Sequence, residues 1–176
     1  MDKCTARGHN LMMRYLDGGR TASVPHKAFF RDNKIESNIR LRKEDFDSLP
    51  KDRKYLTHFN LQCANHLVGK VYALPLIVKH GHFREDKELP PVLSFKNCPV
   101  AECTEVRQNV PYDDLTEDDF KNSFPTIKNV DQLKKAILKR YIESMPELSE
   151  EKILSMGVAI TKLKIICRWE EWIKQA

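Results

Sequence analysis

Nowhere in its 176 residues does this chain hold an apolar run near the ~20 residues that a membrane-crossing helix needs. Its opening residues, MDKCTARGHN, lack the apolar centre of a secretory signal. No glycine-rich phosphate loop of the GxxxxGKS/T or GxGxxG form occurs, so a nucleotide-cradling turn is not indicated. There is no internal repeat and no low-complexity segment. The five cysteines are an odd number, and a disulfide framework normally uses an even one. These absences lead to the expectation of a cytoplasmic or nuclear protein with reduced thiols, no transmembrane segment and no cofactor.

Charged residues make up 31% of the chain and hydrophobic ones 41%, a soluble globular composition. At this length about two-thirds of the unfolded surface can be buried, so no metal or disulfide staple is required. The net charge of +5 is uneven. Residues 1–110 hold 19 Lys/Arg and 13 Asp/Glu, whereas residues 111–176 hold 11 and 12. A basic excess of this kind permits a polyanionic partner without demanding one.

The densest apolar stretch runs from Tyr55 to Phe83. Tyr55, Thr57, Phe59, Leu61 and Cys63 alternate with Leu56, His58, Asn60 and Gln62, which predicts a strand with one core face and one wet face. A second strand is expected over 67–78, with Pro75 ending it, kinking it or placing it at an edge. Further strands are expected at 37–43, 92–96, 100–107 and 158–167. Those at 92–96 and 100–107 form a hairpin around Asn97-Cys98-Pro99, and 158–167 lies beside the central pair. Thr116 with Asp119 reads as a capping box for a helix over 117–123. Leu133, Ile137, Tyr141 and Met145 recur every fourth residue, with Leu138 and Ile142 beside them, and predict a helix over 131–145. Ser149 caps a third helix, over 150–156, which Gly157 stops. Trp169 and Trp172 share a face of a terminal helical turn and staple it to the body.

The expected fold is a single α+β domain over 36–176, preceded by a partly irregular arm over 1–35. Its sheet has five or six mostly antiparallel or mixed strands, possible also as a small barrel, with the C-terminal helices on one face.

Basic and aromatic residues interleave in RTASVPHKAFFR, residues 20–31. A cationic groove with stacking aromatics is the chemistry of single-strand binding. The candidate contacts are Arg40, Arg42, Lys43, Lys51, Arg53, Lys54, Lys134, Lys135, Lys139 and Arg140 for phosphates, with Phe29, Phe30 and Tyr55 for bases. The bland alternative packs the phenylalanines in the core and leaves the charges on a solvated edge.

Cys63, His66, Cys98 and Cys103 are the zinc ligands the chain could offer. Against them, Cys63 lies on an apolar strand face and Cys103 sits in mid-strand, where zinc knuckles are rare. His80 and His82 fall on one side of a strand, more often a solvated end than an acid–base pair. Asp113, Asp114, Glu117, Asp118 and Asp119 read as a solvated, helix-capping cluster.

The function expected from the sequence is non-enzymatic binding or assembly on RNA, single-stranded DNA or a ribonucleoprotein. The alternative is a matrix-type scaffold that self-associates and touches acidic membrane or a protein partner. A third reading is a hydrolase or nuclease using the histidines or acids.

Overall fold

The computed structural model describes residues 12–36, 39–84, 87–142 and 145–175. It is an α+β structure with two four-stranded sheets, a two-stranded ribbon and six α-helices among the described residues. The chain falls into two compact units. The first contains residues 48–69 and 103–164, and the second contains 12–47, 70–102 and 165–175. One sheet of five or six strands was expected. The strands are instead divided because the chain passes between the two four-stranded sheets three times, between residues 25 and 55, at Pro75 and again near Asn97.

In the second unit, β1 (Met12–Asp17) and β2 (Arg20–Pro25) form an antiparallel hairpin. Gly18 and Gly19 turn it with φ of 58° and 82°, the paired positive angles that favour glycine. Helix α1 (His26–Asn33) follows and ends where Lys34 adopts a left-handed φ of 54°. The segment expected to be a partly irregular arm holds a hairpin and a helix over residues 12–33. Helix α2 (Lys43–Ser48) comes next. The expected strand at 37–43 does not form: only isolated bridges join Glu36 to Tyr72 and Leu41 to Leu76. Residues 37 and 38 lie outside the described residues.

Strand β4 (Val71–Ala73) and strand β5 (Leu76–Lys79) divide at Leu74-Pro75, because proline has no N–H to continue a ladder. The ribbon of β6 (His82–Arg84) and β7 (Lys87–Leu89) follows. Strand β8 (Val92–Ser94) pairs parallel with β1 and antiparallel with β5, giving the order β2-β1-β8-β5. It does not form the expected hairpin with β9 (Pro99–Val110), which belongs to the other sheet. Asn97 turns the chain between them with φ of 55°. The core of this unit gathers Met13, Phe29, Phe30, Ile35, Leu93, Phe95 and Val100. Helix α6 (Trp169–Gln175) packs Trp169 and Trp172 on it, and the Trp172 indole N–H donates to Asn33 O at 2.9 Å.

In the first unit, β3 (Tyr55–Leu61) pairs antiparallel with Val158–Lys164 of β10 (Val158–Arg168). The second sheet has the order β3-β10-β9-β4, so β3 is an end strand rather than a central one. It is nevertheless covered on both faces: Leu56 is 1% exposed and His58 9%, beside Phe59 at 3% and Leu61 at 7%. On the face expected to be wet, His58 is buried, while Asn60 and Gln62 are half-buried.

Helix α3 (Glu117–Phe120) starts at the expected capping box, with Thr116 N–H donating to Asp119 Oδ2 at 3.0 Å. Helix α4 (Val130–Tyr141) is capped by Asn129, whose side chain accepts Gln132 N–H. Leu133 and Ile137 are fully buried, as the four-residue spacing predicts. Helix α5 (Glu150–Ser155) is capped by Ser149 and stopped by Gly157 at φ of 70°. A Cβ on Gly157 would sit 2.7 Å from Val110 O, so the glycine is required for space as well as for φ.

Candidate nucleic-acid interface

The outer edge of β3 organises the candidate site. An end strand exposes unpaired backbone groups unless something covers them. Here Thr57 N–H donates to Asn122 O at 2.9 Å, Leu61 N–H reaches the Tyr141 hydroxyl at 3.5 Å, and Arg140 Nη1 donates to Phe59 O at 3.0 Å. The segment after α3 is thus laid along the start of β3. Arg53, just before the strand, donates from Nη1 to Ser123 O at 3.2 Å. The Ser123 hydroxyl in turn bonds Phe120 O at 2.8 Å and also Ile127 O, so the 120–127 turn is closed on itself.

Between these pieces lies an open cleft of about 670 Å³, lined by Arg53, Thr116, Glu117, Phe120, Lys121 and Lys128 among others. Lys121 and Lys128 are exposed. Phe120 packs against Phe59 with tilted rings 5.5 Å apart, and Phe124 is buried, which gives the cleft an apolar floor. Glu117 is the one acid in the lining. The other acids of α3 are committed elsewhere. Asp118 and Glu105 lie 3.2 and 3.4 Å from Lys162 Nζ, and Asp119 is ion-paired to Arg107. The expectation of a wholly solvated acidic cluster is therefore corrected at Asp119, which is 1% exposed. The cleft lining itself holds three cations, Arg53, Lys121 and Lys128, and one acid.

The sequence-derived candidates divide between the two units. Lys51, Arg53, Lys54, Tyr55, Lys134, Lys135, Lys139 and Arg140 belong to the first; Phe29, Phe30, Arg40, Arg42 and Lys43 belong to the second. Tyr55 is 49% exposed at the head of β3, beside the exposed Lys54. Lys135 and Lys139 are exposed on α4, whereas Lys134 sits over the Tyr112 ring at 5.3 Å. Arg140 is spent on the strand edge. Phe29 and Phe30 are buried in an aromatic cluster with Phe95 and Trp169, so their rings are not presented for stacking. Arg40 is largely buried, with its Nε unbonded, and desolvation lowers its pKa. Lys121, Lys128 and Phe120 were missed, because nothing in the sequence brings residues 121–128 to Arg53.

The zinc candidates do not assemble. Cys63 is disulfide-bonded, which also corrects the expectation of free thiols at that position. Cys98 is fully buried, and burial pushes its thiol pKa far up. The Cys103 thiol donates to Glu105 O. His66 Nδ1 lies 2.7 Å from Thr161 Oγ1. Among the described residues no three His, Cys, Asp or Glu side chains converge as a metal site. His80 is exposed, and the side chain of His82 lies outside those described.

His58 and His66 form a buried pair with ring centroids 6.3 Å apart. Burial lowers the pKa of both, to about 4 for His66. The Arg140 guanidinium and His66 depress His58 further, against a hydrogen bond with the Asn60 side chain that raises it. Both imidazoles are neutral at pH 7.

No protein-family model, curated protein or solved structure matches this chain. No helix of the described residues is long and apolar enough to cross a membrane.

Proposed function

We propose that the protein binds a polyanion, most readily a single-stranded nucleic acid, at the cleft beside the start of β3. The observation that carries this reading is the excess of cations there: Arg53, Lys121 and Lys128 line the cleft with Glu117 as the sole acid. Lys51 and Lys54 extend the charge along the chain on either side of Arg53, and both are exposed. Phosphates would be held by these lysines and by the guanidinium of Arg53, which is also tied to Ser123. Tyr55 offers a half-exposed aromatic face for a base, and stacking of this kind tolerates any sequence. Lys135 and Lys139 are a further exposed pair on α4 that a longer strand could engage.

The test is binding of a fluorescent oligonucleotide across a salt series. Affinity should fall steeply with salt, and Lys121→Glu with Lys128→Glu should each shallow the log–log slope by roughly 0.7, the single-strand value per phosphate contact. Tyr55→Ala should cost about 1–3 kcal/mol without changing that slope. Absence of binding at low salt overturns the reading and leaves self-assembly or a protein partner as the better account.

A further inference from the structure

We infer that the second unit carries its own ligand site, a recess for a phosphate monoester bearing a compact apolar or aromatic group, which a nucleoside monophosphate represents. The inference goes beyond the polyanion cleft and does not depend on it, since every residue below belongs to the other unit.

The recess has a volume of about 550 Å³ and is lined by residues of α1, the turn after it and the start of β4. That is within the roughly 300–1,000 Å³ usual for small-molecule sites. Its walls are apolar at Phe30, Ile35 and Val71, with Phe30 and Ile35 part of the core. Its rim is cationic: Lys27, Arg31, Lys34 and Lys70, with His26 set edge-on to Phe30 at 4.4 Å. Glu36 is the one acid of the lining, and Lys70 already holds it at 3.3 Å. Arg31 leans on Asp32 at 3.1 Å. Lys27 and Lys34 remain exposed cations with no ion pair among the described residues.

The ordinary account of cations near a helix C-terminus is that they serve its last carbonyls and its dipole. At the end of α1 the carbonyls of Phe30 and Asn33 already have donors. Phe30 O accepts the N–H groups of Lys34 and Ile35, and Phe29 O accepts Asn33 Nδ2 at 2.8 Å. Lys34 holds a left-handed φ of 54°, which costs a residue other than glycine energy. Lys27 lies in the first turn of α1, away from those carbonyls, and with Lys34 it makes a surplus of exposed charge that has no ion pair among the described residues. A doubly charged phosphate would neutralise that surplus, and an attached flat ring would cover the Phe30, Ile35 and Val71 wall.

The protein supplies its own probe. Its two tryptophans are Trp169, parallel to Phe29 at 6.1 Å, and Trp172, bonded to Asn33 O at the end of α1. Neither belongs to the polyanion cleft. Titration of the full chain with adenosine monophosphate at low salt should give a saturable change in tryptophan fluorescence, after correction for absorbance. Isothermal titration should return the same dissociation constant. Lys27→Gln with Lys34→Gln should weaken binding by at least about tenfold, while Glu36→Gln, which removes the one acid of the lining, should tighten it severalfold. The tightening separates the assignment from a mere loss of fold. Oligonucleotide binding should be unaffected by all three substitutions, so the two sites fail or succeed separately. No saturable signal and no heat with adenosine monophosphate overturns the inference. Equal binding of inorganic phosphate or of adenosine also overturns it, as does unchanged affinity in the lysine variant.

Discussion

Arg107 donates from Nη1 to Asp119 Oδ1 at 2.7 Å, and the carboxylate that receives it is 2% exposed. The same side chain accepts Thr116 N–H through its other oxygen. One residue therefore caps α3 and anchors it to β9. Truncation by Asp119→Ala orphans the Thr116 amide and leaves Arg107 without its counter-charge. The expected loss is about 2–3 kcal/mol in urea unfolding. Asp119→Asn keeps an acceptor for the amide and should lose about half as much. A midpoint within about 0.3 M of wild type for the alanine variant would refute this assignment.

Arg140 separates a structural from a binding role. Its guanidinium closes the outer edge of β3 at Phe59 O. Arg140→Ala leaves that carbonyl without its donor and should destabilise the protein by about 1–2 kcal/mol. Oligonucleotide affinity, measured on the folded fraction, should change less than in Lys121→Glu. If affinity instead falls as far as in the Lys121 variant with stability intact, Arg140 belongs to the binding surface and the edge bond is incidental.

The buried His58–His66 pair makes stability depend on pH. An unfolded chain protonates both imidazoles near pH 6.5. The folded protein holds the proton off His66 until about pH 4, and off His58 by a shift in the same direction. Between those limits the unfolded state binds more protons, so stability rises with pH across the window and is fully present above 6.5. The contribution from His66 is roughly 2–3 kcal/mol. Urea midpoints at pH 4.5 and 7 should differ, and His66→Gln should flatten the difference. An equal difference in the variant would mean that other groups carry it.

What could be read before folding was local. The Thr116–Asp119 box, the Ser149 cap, the Gly157 stop and the Leu133–Ile137 stripe all depend on residues no more than a few positions apart. Propensity, capping and periodicity act over that range, and these features stand where the pattern placed them. The short α1 was missed because its apolar pair, Phe29-Phe30, has no repeat along the helix. Strand composition was also legible, but strand partners were not. Val92–Ser94 and Pro99–Val110 look like a hairpin in the sequence, yet they join different sheets.

The binding site shows the same division. Lysines and arginines are visible anywhere in a sequence, and their number permits a polyanion. Which of them remain available is decided by distant partners: Phe59 O engages Arg140 and the Tyr112 ring engages Lys134. The chain alone determined an α+β protein with capped helices, a basic surplus and no helix fit to span a membrane. Only the tertiary structure divided its strands between two sheets, buried Phe29 and Phe30, and set Arg53 beside Lys121 and Lys128. The reason is range: caps and periods are settled within a turn or two, whereas a cleft and a sheet partner depend on contacts between residues dozens of positions apart, which a single sequence does not reveal.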